Sequence, residues 1–475
     1  MQHYIGPKGF TIYKSSITPQ QQQQIKNDLM AKPAMQYQIG NEIKTFPVYR
    51  ESTKKLYIPR FYGIEKFNKP EHYTIKEGDD IHIHFQGDLR DFQHTIVNTY
   101  LSHIKIHDCA LLDIPCGFGK TVCALNIISR LAKKTLVIVH KDFLMQQWKE
   151  RIQQFLPQTR IGKIQGPVVD IDDKDIVIGM LQTLSMKSLD PCIFESFGLT
   201  VVDETHHMGA EVFSNALFTI VTKHMLGLSA TMKRKDGLTK IFKMFLGEVA
   251  YAMKRNTDDD DVTIQQVFYE NQDDDFSEEI LNYRGQTQYS AMIKKICEFN
   301  PRSEAILRIL KDLCEDQKNR QIMILAHNKS LLEYLYNAVE HREYDTVGYY
   351  IGGMKQTQLK LSESKRIILG TYAMAEEALD IKTLSCLILA TPRSDVTQAV
   401  GRILRMKHEQ TIVVDIIDQH KTFQNQSKKR ESFYKRNRYT IIQCTYQQYP
   451  HFQKLDYTTK RKTTVKREYK CLIEL

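Results

Sequence analysis

Two short stretches of this chain carry residue types at spacings suited to phosphoryl transfer. The first is Pro115-Cys116-Gly117-Phe118-Gly119-Lys120-Thr121. It follows an apolar run (Ala110, Leu111, Leu112) and opens a helical pattern through Val122, Leu125, Ile127, Ile128 and Leu131. A strand, a glycine loop and a helix start together aim backbone N–H groups at anionic oxygens, at the positive end of the helix. In that setting Lys120 neutralises the β- and γ-phosphates of a nucleoside triphosphate, and the Thr121 hydroxyl reaches Mg²⁺. The general form of this loop has a glycine where this chain has Ile114. The second stretch is Asp203-Glu204-Thr205-His206, after the apolar run Leu199-Thr200-Val201-Val202. It lies beyond the carboxyl end of a buried strand, where open α/β sheets bind ligands. Phosphoryl transfer assigns two tasks to carboxylates there. One holds Mg²⁺ and the other orients and deprotonates the attacking water. Asp203 fits the first task and Glu204 the second.

The elements that must position these residues follow from the apolar pattern. From about Asp79 onward, strand and helix patterns alternate. Strands are expected at Ala110–Ile114, Thr135–Val139, Ile176–Met180, Leu199–Val202 and Met225–Ser229, with helical stretches such as Asp142–Phe155 between them. A second series follows at Gln321–Ala326, Arg366–Gly370, Cys386–Ala390 and Thr411–Ile417. Alternating β and α elements imply parallel sheets covered on both faces. The fold class is therefore α/β, with two parallel-sheet domains in tandem. The expected divisions are an N-terminal module over 1–78, a first domain over 79–255, an acidic connector over 256–300, a second domain over 301–440 and a basic tail over 441–475. The N-terminal module contains a glutamine run on an exposed helix (Gln20 to Gln24) and two short strands around a polar turn within Phe46–Gly63. The connector surrounds one strand, Val262–Tyr269, with the acidic clusters Asp258–Asp261 and Asp273–Asp275 plus Glu278 and Glu279. These clusters could bind a cation, but read more readily as a solvated connector.

The composition, 42% hydrophobic and 26% charged over 475 residues, is that of a soluble globular protein large enough for several cores. No apolar run reaches transmembrane length, so no membrane partner is expected. The start of the chain lacks a signal-peptide core. Nine dispersed cysteines without a C-x-x-C pair indicate neither a zinc ribbon nor a redox motif, and fit a reducing, intracellular setting. The net charge is +10, and from Lys421 to Leu475 there are 14 basic against 4 acidic residues. The whole excess therefore sits in the last segment. Phe423, Phe433, Tyr434, Tyr439, Tyr446, Tyr449, Phe452, Tyr457 and Tyr469 are interleaved there. Basic side chains mixed with aromatic faces suit a phosphate backbone and stacked bases, so nucleic acid is the expected partner. The lone tryptophan, Trp148, shares helical spacing with Phe143, Leu144 and Ile152, which assigns it to core packing rather than to base stacking.

The ordered segments G-K-T, D-E-T-H, Ser229-Ala230-Thr231 and Gln398 to Arg405 (QAVGRILR) resemble a superfamily 2 helicase of the D-E-x-H type. The similarity is closer to the XPB-like branch, which includes phage branch-migration helicases and poxvirus-type transcript-release helicases of large DNA viruses. Further segments carry it: Leu89 to Gln93 (LRDFQ), Val139 to Trp148 (VHKDFLMQQW), Gly179 to Ser185 (GMLQTLS), Gly227 to Phe242, Ala326 to Leu332 (AHNKSLL), Gly352 to Lys355 (GGMK) and Thr371 to Ile381 (TYAMAEEALDI). The resemblance spans about Asp79 to Tyr439.

The resemblance implies two RecA-like domains with ATP and Mg²⁺ bound between them. It assigns Arg90 and Gln93 to adenine. It gives Gly117, Phe118, Gly119, Lys120 and Thr121 to the phosphates, and Thr121 and Asp203 to the metal. Lys120, Glu204, Gln398, Arg402 and Arg405 become the catalytic set. An arginine suits the last positions because its planar, permanently charged fork matches charge spread over γ-phosphoryl oxygens. His206, Ser229, Ala230, Thr231 and Asp380 would couple the ATP site to nucleic-acid grip. His140, Lys141, Gln182, Thr183, Asn328, Gly353, Lys355 and Thr371 would contact the strand. Ala378 stands where the family commonly has glycine.

The implied function is an ATP-dependent helicase or translocase, 3′ to 5′ on DNA, with RNA or an RNA–DNA hybrid as other substrates. It would act beside transcription, replication or repair machinery, in host cytoplasm, nucleus or virion. Two alternatives are a non-unwinding duplex translocase within a larger assembly and an ATP-gated nucleic-acid-binding scaffold.

Overall fold

The computed structural model describes residues 3–32, 45–115, 117–204, 208–230, 237–253, 262–316, 320–377, 381, 383–403 and 410–455. The chain forms two compact units, Met1–Asn256 and Thr257–Leu475.

The first unit is built on an eight-stranded sheet. Its strands run in the order Val168–Asp170, Ile161–Gln165, Ile176–Met180, Thr135–Val139, Leu199–Val202, His224–Ser229, Cys109–Asp113 and Val249–Ala252. All pairings are parallel except the hairpin at the first edge. The interior strands are apolar at consecutive positions because both sheet faces are covered. Leu136 and Ile138 enter one core, and Val137 and Val139 the other. All five strands expected in this half are present, with ends shifted by one residue at most. The hairpin at 161–170 mixes in Lys163, Gln165 and Asp170, and the edge strand Val249–Ala252 is only four residues long, so long apolar runs do not reveal them. One consequence of the strand order matters for function. A single strand, His224–Ser229, separates Cys109–Asp113 from Leu199–Val202. The two candidate chemical segments therefore leave the same sheet edge close together.

The N-terminal residues form a four-stranded antiparallel sheet of His3–Gly6, Gly9–Tyr13, Lys55–Ile58 and Arg50–Glu51. The glutamine run lies on the largely exposed helix Pro19–Asp28. Residues 60–67 are helical rather than extended. This segment is not a separate body. Ile5, Phe10, Leu56 and Tyr62 share one continuous core with Leu111, Phe242 and Leu246. Arg60, 3% exposed, donates from Nη2 to the Thr222 carbonyl at 2.6 Å and from Nη1 to the Lys223 carbonyl at 3.1 Å. A buried guanidinium requires such acceptors, and here they join the segment to the first sheet.

The second unit has another eight-stranded sheet. Its order is Val347–Tyr350, Ile367–Thr371, Gln321–Ala326, Leu384–Leu389, Thr411–Asp418, Val262–Tyr269, Thr440–Thr445 and Gln453–Lys454. Only the last pairing is antiparallel. The strand expected inside a connector, Val262–Tyr269, is an interior strand here, paired on both sides. Thr440–Thr445, expected at the head of a tail, is its neighbour. Sequence spacing shows that a strand forms but not whose hydrogen bonds it takes.

The basic aromatic segment also differs from expectation. Phe423, Tyr434, Tyr439 and Tyr449 are buried in the second unit and offer no stacking faces. Arg430 is 2% exposed and pairs with Asp415. Lys421, Lys428, Lys429, Lys435 and Arg436 stay on the solvent side of the helix Lys421–Arg436, so the basic surface there is narrower than the composition implies. Tyr457 and Tyr469 lie outside the described residues. No described helix is long and apolar enough to cross a membrane.

Candidate nucleotide site

The phosphate loop leaves the strand Cys109–Asp113 and ends at the helix Lys120–Leu131. Gly117 and Gly119 have φ of +86° and +79°, the left-handed region that favours glycine. Gly119 caps the helix, so the helix begins at Lys120 with its first N–H groups toward the loop. A Cβ on Gly119 would lie 2.4 Å from Nε2 of Gln93. That amide cannot simply swing away. Its Oε1 accepts the Arg90 N–H at 2.9 Å and its Nε2 donates to the Phe118 carbonyl at 3.1 Å. Gln93 is 5% exposed. The residue expected to sense adenine is thus tied to the phosphate loop. Phe118 also meets Phe92 edge-on, with ring centroids 5.8 Å apart.

The carboxylates meet the loop from the next-but-one strand. Lys120 Nζ lies 2.7 Å from Glu204 Oε1, with both side chains mostly buried. Glu204 has φ +50°, an uncommon conformation for a residue with a side chain. It turns the chain directly after the strand, and its N–H donates to Asp203 Oδ1 at 2.9 Å. Asp203, 5% exposed, accepts a second bond on Oδ2 from the Trp148 indole Nε1 at 2.8 Å. Burial pushes the Asp203 carboxyl above the usual carboxylate range, and the Glu204 charge adds to this. The Lys120 charge and the Trp148 donor act in the opposite direction. Burial likewise raises Asp113, at the end of the loop's own strand, against the pull of Lys120. A buried carboxylate oriented by two donors, with the Thr121 hydroxyl in the first turn of the facing helix, is a hard-oxygen donor set of the kind Mg²⁺ takes. Such a set leaves room for phosphate and water oxygens.

Ser229 ends the intervening strand fully buried, and its carbonyl accepts the Ile114 N–H at 2.9 Å. Ala230 follows it, so this segment touches the root of the phosphate loop. His206, Thr231, Asp380 and Arg405 lie outside the described residues.

Four expected strand-gripping residues gather at the carboxyl ends of two adjacent strands of the first sheet. His140 and Lys141 follow Thr135–Val139, while Gln182 and Thr183 follow Ile176–Met180. Gln182 donates to the His140 carbonyl at 3.0 Å, and Thr183 Oγ1 accepts the Gly166 N–H at 3.0 Å. In the second unit, Asn328, Gly353 and Thr371 each follow or end a strand on one edge of its sheet. Asn328 has a structural task there: its Oδ1 caps the helix Lys329–His341 by accepting the Ser330 N–H at 3.0 Å. Gly353 and Lys355 are exposed. Gln398 and Arg402 sit on the helix Thr397–Ile403, with Arg402 8% exposed.

Sequence reasoning missed the part played by Trp148. It is a core residue, as its spacing says, but its indole N–H needs an acceptor once buried. That requirement was the available signal, and the acceptor is Asp203, the aspartate expected to hold the metal.

Comparisons with known proteins agree with this geometry. Residues 86–234 match the family model described as type III restriction enzyme, res subunit. A protein of Acanthamoeba polyphaga mimivirus, named as an ATP-dependent RNA helicase, is 32% identical over 453 residues, covering 91% of this chain and 85% of its own length. One of African swine fever virus with the same style of name is 30% identical over 365 residues, covering 71% of each chain. A protein of Invertebrate iridescent virus 6 named as a helicase is 25% identical over 377 residues, 74% of this chain and 82% of its own. Among solved structures, T4 UvsW aligns at 15% identity over 94% of this chain and 100% of its own, with a TM-score of 0.36, a likeness too low to bear on fold or function.

Proposed function

From the premise that this chain belongs to the superfamily 2 helicases of large DNA viruses, and so is an ATP-dependent nucleic-acid helicase, we propose a motor of the XPB-like branch. It moves 3′ to 5′ on DNA in transcript release, replication or repair. The observation that carries the chemical part is the convergence of Lys120, Glu204 and Asp203 at one sheet edge, with Lys120 and Glu204 2.7 Å apart.

In this reading the phosphates of ATP draw Lys120 away from Glu204. The exchange neutralises phosphate charge and releases the Glu204 carboxylate to orient and deprotonate the attacking water. Gly117, Phe118 and Gly119 present the loop to the phosphates, and Arg90 and Gln93 meet the adenine side. Mg²⁺, held by Thr121 and Asp203, would screen the charge developing on the phosphoryl oxygens. Trp148 keeps one Asp203 oxygen turned inward so that the carboxylate has a single orientation. Gln398, Arg402 and Arg405 are assigned to stabilise the transition state. Ser229, Ala230, Thr231, His206 and Asp380 pass the nucleotide state to His140, Lys141, Gln182, Thr183, Asn328, Gly353, Lys355 and Thr371. Those residues contact phosphate and sugar rather than base edges. The nucleic acid is DNA, and the names of the relatives make RNA the required comparison.

The test is nucleic-acid-stimulated ATPase in wild type, Lys120→Ala and Glu204→Gln, with strand displacement from forked DNA, forked RNA and RNA–DNA hybrids. The proposal expects stimulation in wild type, loss in both variants and displacement of 3′-tailed DNA. Equal, unstimulated rates in all three proteins overturn the motor chemistry. Displacement of RNA alone overturns the DNA assignment.

A further inference from the structure

Residues 390–396 join the strand Leu384–Leu389 to the helix that carries Gln398 and Arg402, and Ala390–Arg393 is the first part of that connection. Side chains from across the second unit take every carbonyl of Ala390–Arg393. Arg302 Nη2 donates to the Ala390 carbonyl at 2.8 Å. The Tyr372 hydroxyl donates to the Thr391 carbonyl at 2.6 Å. The Pro392 carbonyl lies 3.0 Å from His327 Nε2 and receives the Tyr289 hydroxyl at 3.1 Å. A carbonyl can only accept, so His327 presents the Nε2–H tautomer. Arg430 Nη1 donates to the Arg393 carbonyl. The Thr391 hydroxyl completes the set by accepting the His327 N–H at 3.0 Å.

The two arginines are themselves fixed. Arg302 pairs with Asp418 with both side chains fully buried, and Nη2 reaches Oδ2 at 2.9 Å. Arg430 Nε contacts both Asp415 oxygens at 3.0 and 2.9 Å, and Tyr434 donates to the same carboxylate at 3.1 Å. Asp415 and Asp418 both lie on the strand Thr411–Asp418, next to Leu384–Leu389. The aromatic parts pack as well as bond. The centroid of the His327 ring lies 4.9 Å from that of Tyr372, and the Arg393 guanidinium lies 5.0 Å from the Tyr372 centroid.

Ala390, Thr391 and Pro392 are buried, so their carbonyls must find partners away from water, and here every partner is a side chain brought in from a distant element rather than a neighbouring strand. Ordering costs entropy at each residue, and a buried ion pair contributes little net stability against its desolvation. What such an arrangement supplies is a fixed backbone at the entry to one helix. We infer that Tyr372, His327 and Tyr289, with Arg302 and Arg430 held by Asp418 and Asp415, are positioning residues that set Arg402 for the γ-phosphoryl group. This rests on the assignment of Arg402 to transition-state charge made above. It also gives Arg430 a task apart from the nucleic-acid surface its segment suggested.

The test uses the full chain, with Tyr372→Phe, Tyr289→Phe and Arg402→Ala alone, and Tyr372→Phe combined with Arg402→Ala. Phenylalanine keeps the ring packing and removes only the hydroxyl donor. In stimulated ATPase assays, each tyrosine variant is expected to lower kcat about tenfold with the KM for ATP unchanged, since sub-ångström misplacement of a charge acts on the transition state. In the Arg402→Ala background, Tyr372→Phe is expected to have no further effect on kcat. A purely structural role would instead add its loss to that of Arg402→Ala. Tyrosine variants with wild-type thermal stability and wild-type kcat overturn the inference, as does full additivity in the double variant. If Arg402→Ala itself keeps wild-type kcat, the assignment of Arg402 falls, and the carbonyl bonds then serve another end. Arg430→Lys is a second probe, because an ammonium cannot span Asp415 and the Arg393 carbonyl as the fork does. It is expected to reproduce the fall in kcat at constant KM, and a wild-type kcat counts against the inference.

Discussion

Replacing Gly119 by alanine tests the geometry of the phosphate loop at a single atom. Two costs arise in the structure. Gly119 has φ +79°, where an L-residue with a Cβ costs roughly 1–2 kcal/mol. The new Cβ would also stand 2.4 Å from Gln93 Nε2, and that amide is tethered at both ends. Moving it sacrifices the bond to the Phe118 carbonyl, and a hydrogen bond of this kind contributes about 0.5–1.5 kcal/mol. Together the loop conformation loses roughly 1.5–3.5 kcal/mol. ATP must restore that conformation to bind, so the cost appears in its affinity, at a factor of ten per about 1.4 kcal/mol. Equilibrium titration with a fluorescent ATP analogue should show Kd raised roughly tenfold or more, with a smaller loss in thermal stability. Gly166→Ala is the control. Its φ is +54° but nothing lies within 4 Å of the added Cβ. It carries only the backbone strain, away from the loop, and should leave Kd unchanged. If Gly119→Ala binds the analogue within about threefold of wild type, the left-handed cap and the Gln93 contact do not define the binding conformation, and the argument fails.

Three further outcomes follow from other contacts. Trp148→Phe removes the indole donor to Asp203 and should raise the Mg²⁺ concentration for half-maximal ATPase roughly tenfold, as loss of a partner that orients a metal ligand does. An unchanged Mg²⁺ midpoint in a folded variant contradicts the assigned role. Burial, with the Arg393 charge adding to it, lowers the His327 pKa, so the folded state disfavours the imidazolium. Its contribution to stability is complete above the unfolded value of about 6.5 and is lost as pH falls through the folded value. Thermal unfolding of wild type should therefore decline more steeply below about pH 6.5 than that of His327→Gln, and parallel profiles would refute this. Deleting residues 1–78 strips Ile5, Phe10 and Leu56 from a core shared with Leu111 and Phe242. The remainder should be insoluble or much less stable, since each large buried side chain removed costs about 2–5 kcal/mol. A soluble truncation with the wild-type melting temperature would show the segment to be an independent module after all.

The sequence by itself determined what is local and contiguous. Strand, glycine loop and helix occupy neighbouring positions from Cys109 to Leu131, so periodicity and glycine placement were enough to read them. Most interior strands of both sheets were equally legible, because burial on two faces leaves largely apolar runs. The ordered motifs carried the family. The tertiary structure decided everything that depends on which distant segments become neighbours. An apolar run announces a strand but not its partners, so Val262–Tyr269 looked like part of a connector until its pairing on both sides was seen. Basic and aromatic residues near the end of the chain looked like a nucleic-acid surface, yet Arg430 and Tyr434 turn inward onto Asp415. The Lys120–Glu204 pair, the Trp148 bond to Asp203 and the side chains on the Ala390–Arg393 carbonyls each join residues far apart in the chain. Such contacts arise from sheet register and from the demand of buried donors for acceptors. Both are settled only when the chain closes on itself.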